Sequence, residues 1–312
     1  MPSARANSHQ ANGSGARALR AALGALAVTV IPRMAGAYCL TNTCTAESEG
    51  DGECRQENGC LVGGKPLAWA NRCVSFSVQK DGSRLRGIPV DEARRIIGEG
   101  FYTWTHAACP EGGSPSIEVF ELGPVECRAA EFDLEQRNAN VWVFRDAVWP
   151  YDDVGTLALT TVTFSPQTGE IFDADVEINT VQNAITIGDG DVTYDLASIA
   201  THEAGHVLGL SHSNELSATM YAAYDAGSVT TRQLHVDDVH GICAAIPPDR
   251  DVPEACDPTP VNGFSPECHD TGSGCLSVSP AGRAPGFPSG LLLLGALMLR
   301  RRMRRRGTSG EI

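Results

Sequence analysis

The sequence has no apolar run of membrane-spanning length. Its two short apolar stretches, Ala21 to Ile31 and Leu291 to Leu299, both fall well below the roughly 20 residues that a spanning helix needs. Acid is missing from the first 37 residues and cysteine from the first 38. Positive charge is scarce in between: residues 38–275 carry 13 Lys and Arg against 37 Asp and Glu. Such a surface repels nucleic acid and anionic lipid, so no nucleic-acid partner is expected. It would suit calcium or a cationic partner, although solubility alone accounts for it equally well.

With 312 residues and 42% hydrophobic content, the chain can bury the core of one large domain or two small ones. Residues 1–37 run from Arg5, Arg17, Arg20 and Arg33 through an apolar stretch to Ala35-Gly36-Ala37. That order reads as a secretory signal peptide cleaved after Ala37. All 11 cysteines lie beyond that point, as expected for an oxidising destination. The odd number leaves at least one outside any internal disulfide, with Cys275 the candidate; the pairing of the other ten is open.

Composition divides the remainder. Residues 38–65 form a Cys-rich lead-in with little apolar material, and residues 66–247 hold the apolar periodicities. Residues 248–285 are rich in Pro, Gly, Ser and Asp and read as a linker. Residues 286–312 combine the second apolar run with Arg300, Arg301, Arg302, Arg304, Arg305 and Arg306. That run is too short for a stable span but long enough to pause a chain in a membrane with its arginines inside. The stretch "GSGCLSVSPAGRAPG", with the apolar run and arginine cluster after it, resembles the C-terminal tails of myxobacterial surface proteins. The resemblance implies a short apolar helix, removal of the tail and retention at the cell surface, through Cys275 in one version. An ordinary tail anchor gives the same extracytoplasmic placement, with membrane contact only through the tail.

The chemistry is concentrated in "HEAGHVLGLSH" from His202 to His212. On a helix, His202 and His206 are four residues apart and project from one face, so they can share a metal ion. Glu203 is offset by about 100°, toward the side where a water on that metal would sit. Gly209 allows a sharp left-handed turn, after which His212 can return as a third ligand. Three neutral imidazoles leave a fourth position open, the pattern of a catalytic rather than a structural zinc site. Glu203 is then placed to take a proton from the water and pass it to a leaving amine.

The extended motif, with Met220 in "SATMY" eight residues beyond His212, resembles that of the metzincin zinc endopeptidases. Ser213 after the third histidine and Tyr221 after the methionine resemble the matrixins and their bacterial relatives among them. The resemblance covers about residues 66–247, including "TLALTTVTFSPQTGEIFDADVEIN" and "LHVDDVHGICAAIP". It implies an α+β fold: a twisted, mixed five-stranded sheet with two long helices and a shorter C-terminal helix. It also implies Met220 as an apolar floor under the site, an edge strand near Gly155–Phe164 that pairs with the substrate backbone, and a pocket wall from Tyr221 to Tyr224. The expected enzyme acts on protein or peptide substrates as a monomer. The expected cofactor is one catalytic Zn2+, because "LALTTVTF" lacks the histidine with which matrixins often hold a second.

The residues agree with that plan. Val74 to Val78, Ile117 to Phe120, Val141 to Phe144, Gly155 to Phe164 and Asp173 to Thr180 read as strands. Pro89 to Ala108 reads as a helix with Ile96, Ile97, Gly100, Phe101 and Trp104 on one face. Asp195 can cap the histidine-bearing helix, with Leu196, Ile199 and Val207 on its buried side. Ca2+ is a second candidate ion. Asp173, Asp175 and Glu177 share one strand face, and Asp189 and Asp191 lie in a Gly-rich turn, yet solvated carboxylates are commoner than calcium sites. Cys73 in "NRCVSF" lacks the Pro-Arg-Cys-Gly setting of a matrixin latency cysteine and reads as structural, which leaves the basis of any latency open. The rival readings are a catalytically silent surface binding or adhesion protein on the same fold, and a hydrolase of a non-peptide bond. Loss of activity should show at Glu203 or at a ligand, and none of these is missing.

Overall fold

Val74, Phe76 and Val78 alternate with serines, the mark of a strand with one wet face, yet all six residues of the strand Cys73–Val78 are buried. The strand lies between two parallel neighbours, and its small serines allow the second face to be covered as well. The computed structural model describes residues 37–44, 54–152, 155–253 and 255–267 and the backbone of 297–301. The expected signal peptide before Ala37, Cys275 and the rest of the tail lie outside these residues.

In chain order the strands are β1 (Cys39–Leu40), β2 (Arg55–Glu57), β3 (Cys60–Val62), β4 (Ala68–Trp69), β5 (Cys73–Val78), β6 (Glu118–Glu121), β7 (Val141–Phe144), β8 (Thr156–Phe164), β9 (Glu170–Ile178), β10 (Ile185–Thr186), β11 (Tyr194–Asp195), β12 (Leu210–Ser211), β13 (Ala223–Tyr224) and β14 (Leu297–Arg301). The helices are α1 (Val90–Thr105), α2 (Leu196–Val207) and α3 (Val236–Ala245). The central sheet has the order β8-β9-β7-β5-β6, antiparallel between β8 and β9 and parallel elsewhere. These are the five expected strands of a mixed sheet. Short β4 joins the start of β9, and β14 and β13 continue the sheet beyond β8.

Pro89 stands at the N-cap of α1, where its missing N–H costs nothing. The helix ends at Thr105, three residues before the expected Ala108. All five residues of its expected apolar face are buried. Gly100 is needed there because a Cβ would come within 3.1 Å of the Ala200 carbonyl carbon. The backbones of α1 and α2 therefore touch, and Trp104 Nε1 donates across the seam to the Thr201 carbonyl, 2.6 Å away. Asp195 caps α2 as expected, accepting from the Ser198 backbone N–H at 2.8 Å.

Four disulfides are described: Cys39–Cys60, Cys44–Cys54, Cys73–Cys256 and Cys109–Cys243; Cys127 is also disulfide-bonded. Cys73 is structural, as its setting suggested. Its bond closes a sequence separation of 183 residues, which alone restricts the unfolded chain by about 5 kcal/mol in chain-entropy terms. It also corrects the linker boundary. Composition alone reads residues 248–285 as linker, but Arg250 donates to the carbonyls of Trp69, Asn71 and Ser116, and Asn138 pairs with Phe264. The segment lacks periodicity because it is held by a disulfide and by side-chain donors rather than by a ladder. In the tail, Leu297–Arg301 is a strand and not the helix that its resemblance implied.

Candidate metal centre

Helix α2 brings His202 and His206 to one face, and the turn at Gly209 (φ +98°) returns the chain so that His212 joins them. One ligand nitrogen from each of the three lies within 4.8 Å of those of the other two. A Cβ at Gly209 would meet the Leu67 carbonyl oxygen at 2.8 Å, so both conformation and space require glycine.

The hydrogen bonds determine which nitrogens are free. His202 Nδ1 lies 2.6 Å from the Thr219 carbonyl and His206 Nδ1 lies 2.9 Å from the Leu210 carbonyl. A carbonyl only accepts, so both Nδ1 atoms carry the proton and both Nε2 atoms present lone pairs. These two Nε2 atoms stand 3.0 Å apart. His212 Nε2 is buried with no hydrogen-bond partner. Lone pairs turned on one another in a buried space repel, and a cation between them removes the conflict. The donor set fits a borderline-soft divalent metal such as zinc. Burial holds the imidazoles neutral, with His202 lowered to about 4 and His212, also facing His202, to about 3.

Glu203 is fully buried and is not one of this group. The Thr160 hydroxyl donates to its Oε2 at 2.5 Å, whereas Oε1 has no partner. Burial raises this carboxyl to about 8 against the opposing pull of Thr160. Thr160 was not singled out from the sequence; its signal was a polar residue in a buried strand.

Met220 is buried at 1% exposure beneath α2. A Cβ on Gly205 would collide with Met220 Sδ and lie 2.8 Å from Trp104 Cζ2. Gly205→Ala, between two of the histidines, is therefore expected to cost about 1–3 kcal/mol through overpacking and to weaken zinc retention; calorimetry and metal titration of the variant check both. Asp238, also missed, fixes the turn that carries Met220. Its carboxylate accepts from the backbone N–H groups of Thr219, Met220 and His235 at 2.7, 3.0 and 2.8 Å.

Tyr221 is half-buried beside the site and bridges Ser213. Tyr224 is buried instead: its hydroxyl donates to the Ser228 carbonyl and accepts from the Asp195 N–H at 3.1 Å. Its ring thus packs against Tyr194 in the core, and only its backbone can border a cleft.

Three of the five carboxylates weighed for calcium are already matched by protein groups. Glu177 is held by Arg145 and Tyr151, Asp189 by Arg232, and Asp175 by the N–H groups of Val141 and Glu131. Asp173 is buried against Asp175 with its Oδ1 unpartnered. Burial, then the Asp175 charge, raises its pKa well above the ordinary carboxylate value. A raised folded pKa stabilises fully below the unfolded value of about 4 and is lost as pH rises through the folded one. Asp173→Asn, which can donate to Asp175 without a titrating proton, is expected to flatten that slope. It should gain about 1 kcal/mol or more above neutral pH, as read by Tm against pH in calcium-free buffer.

Comparison with known proteins agrees with the geometry. The profile of the matrixin family matches residues 68–245. Matrix metalloproteinase-C of Caenorhabditis elegans is 28% identical over 188 residues, 58% of this chain and 29% of that protein. Metalloendoproteinase 1-MMP of Arabidopsis thaliana is 40% identical over 94 residues, 30% and 24% of the two chains. Matrix metalloproteinase-26 of Homo sapiens is 35% identical over 101 residues, 32% and 36%. The match thus spans about a third or less of each relative's length. The family profile nevertheless covers every element that builds the histidine cluster, and the chain belongs to the matrixin family of metallopeptidases.

Proposed function

We propose that the chain is a secreted or surface-retained zinc endopeptidase that hydrolyses peptide bonds in proteins, with His202, His206 and His212 as ligands and Glu203 as general base. The observation that carries this reading is the pairing of unsatisfied buried atoms: imidazole nitrogens that face one another, and the free Oε1 of Glu203, the residue that follows His202 in α2. Zinc held there supplies Lewis acidity toward a water molecule and a substrate carbonyl.

The protein's own residues do the rest. Thr160 holds Oε2 and so directs Oε1, which takes the proton from the attacking water and delivers it to the departing amine. Burial raises this carboxyl to about 8 in the metal-free protein, and the positive charge of a bound zinc would draw it back toward the ionised form that accepts a proton. No covalent bond to the enzyme forms. Strand β8 receives the substrate backbone by strand addition. The stretch from Tyr221 to Tyr224 borders the pocket for the side chain after the cleaved bond, with Tyr224 contributing backbone only. The disulfides accord with an oxidising, extracytoplasmic location, and the signal peptide and the myxobacterial-type tail supply export and sorting. Calcium remains a proposal without a converged site among the described residues.

A mixed-protein digest tests this directly. Cleavage is expected with one zinc per chain, to vanish with a chelator and to return on adding zinc. Full activity in the metal-free protein would refute the reading.

A further inference from the structure

We propose that the C-terminal segment Leu297–Arg301 occupies the substrate cleft of its own chain and excludes external substrate. This rests on the peptidase reading above and names how that site is regulated. Strand β14 lies between β8 and β13. It runs antiparallel to β8, with Leu297 opposite Thr160, Met298 opposite Leu159 and Arg300 opposite Thr156. It runs parallel to β13, with Arg300 opposite Ala223 and Arg301 opposite Tyr224.

The two flanking strands make the slot specific. β8 carries Thr160, whose hydroxyl holds Glu203, and β13 follows the turn that carries Met220. Each presents a row of backbone groups that an added strand pairs, and β14 pairs both. Charge favours the same occupant. The arginine cluster that begins at Arg300 belongs to a chain whose residues 38–275 carry 13 basic against 37 acidic side chains. A covalently attached strand also competes at an effective concentration on the order of mM, which a dilute external substrate does not match.

The test uses the full chain. Met298→Pro removes one ladder N–H and restricts the residue before it, and Leu299→Pro repeats the change one position along. Amide hydrogen exchange is followed in a Glu203→Ala background, which keeps the tail uncut. Exchange across Thr156–Thr160 is expected to be about 10-fold or more faster in either proline variant. With Glu203 intact, each variant should cleave a quenched fluorescent peptide about 10-fold or more faster than the parent chain. Equal exchange in parent and variants overturns the proposal. Faster exchange with no peptide cleaved by any zinc-loaded chain would keep the strand in its slot and refute the peptidase reading instead.

Discussion

Glu203→Ala is expected to lower kcat/KM for protein substrates by about 10³-fold or more while leaving zinc at one per chain. The separation of the two effects follows from the hydrogen bonds. The three histidines take their orientation from the carbonyls of Thr219 and Leu210 and from the turn at Gly209, and none of them leans on Glu203. On the proposed mechanism, removing the carboxyl therefore deletes the proton carrier and spares the ligands. Glu203→Gln is the sharper control, because it keeps the shape and can still accept from Thr160, yet its amide cannot act as the base. Neither change should reduce stability greatly, since burial already disfavours the charged carboxylate and raises its pKa to about 8. Elemental analysis beside a cleavage assay decides the matter. Zinc lost with the carboxyl, or activity above about a tenth of the parent, would place the chemistry elsewhere.

The parts of the site that could be read from the sequence are those set by local spacing. Helical periodicity puts His202 beside His206, Gly209 marks the turn and Asp195 the cap, all within about 20 residues of chain. The five central strands were legible for the same reason, as short β-rich runs with clear boundaries. Contacts made across long sequence separations were not. Thr160 meets Glu203 from 43 residues away, and Asp238 reaches back 18 residues to Met220; in each the residue type is ordinary and only the fold gives it a task. Tyr224 shows the converse. Its place after the methionine suggested a pocket wall, but the backbone N–H of Asp195 offers its hydroxyl a buried partner, and the ring turns inward. The segment after Pro247 has the composition of a linker, and only contacts across long sequence separations, the Cys73–Cys256 bond and the Arg250 donors among them, reveal that it belongs to the domain.

The same long-range logic makes Arg232 the most sensitive position outside the metal centre. Its Nε and Nη2 grip both oxygens of Asp195 at 2.8 and 2.7 Å, and the Asp195 side chain has 0% exposure. Arg232→Met leaves a buried carboxylate with only the Ser198 donors, an expected cost of about 3–5 kcal/mol. For a domain of this size that lowers Tm by roughly 10 °C or more. Asp189, the second partner of Arg232, has an 87% exposed side chain, and Asp189→Asn should cost less than about 0.5 kcal/mol. Restoring neutrality with Asp195→Asn in the Arg232→Met chain should recover much of the loss, because the penalty lies in the unpaired charge and not in the missing packing. Function follows stability here, since Asp195 caps the helix that bears His202 and His206, while Arg232 ends the loop that follows Met220. Were Arg232→Met to cost under about 1 kcal/mol, Asp195 would not carry a buried charge, and the link between helix and wall would rest on Tyr224 alone.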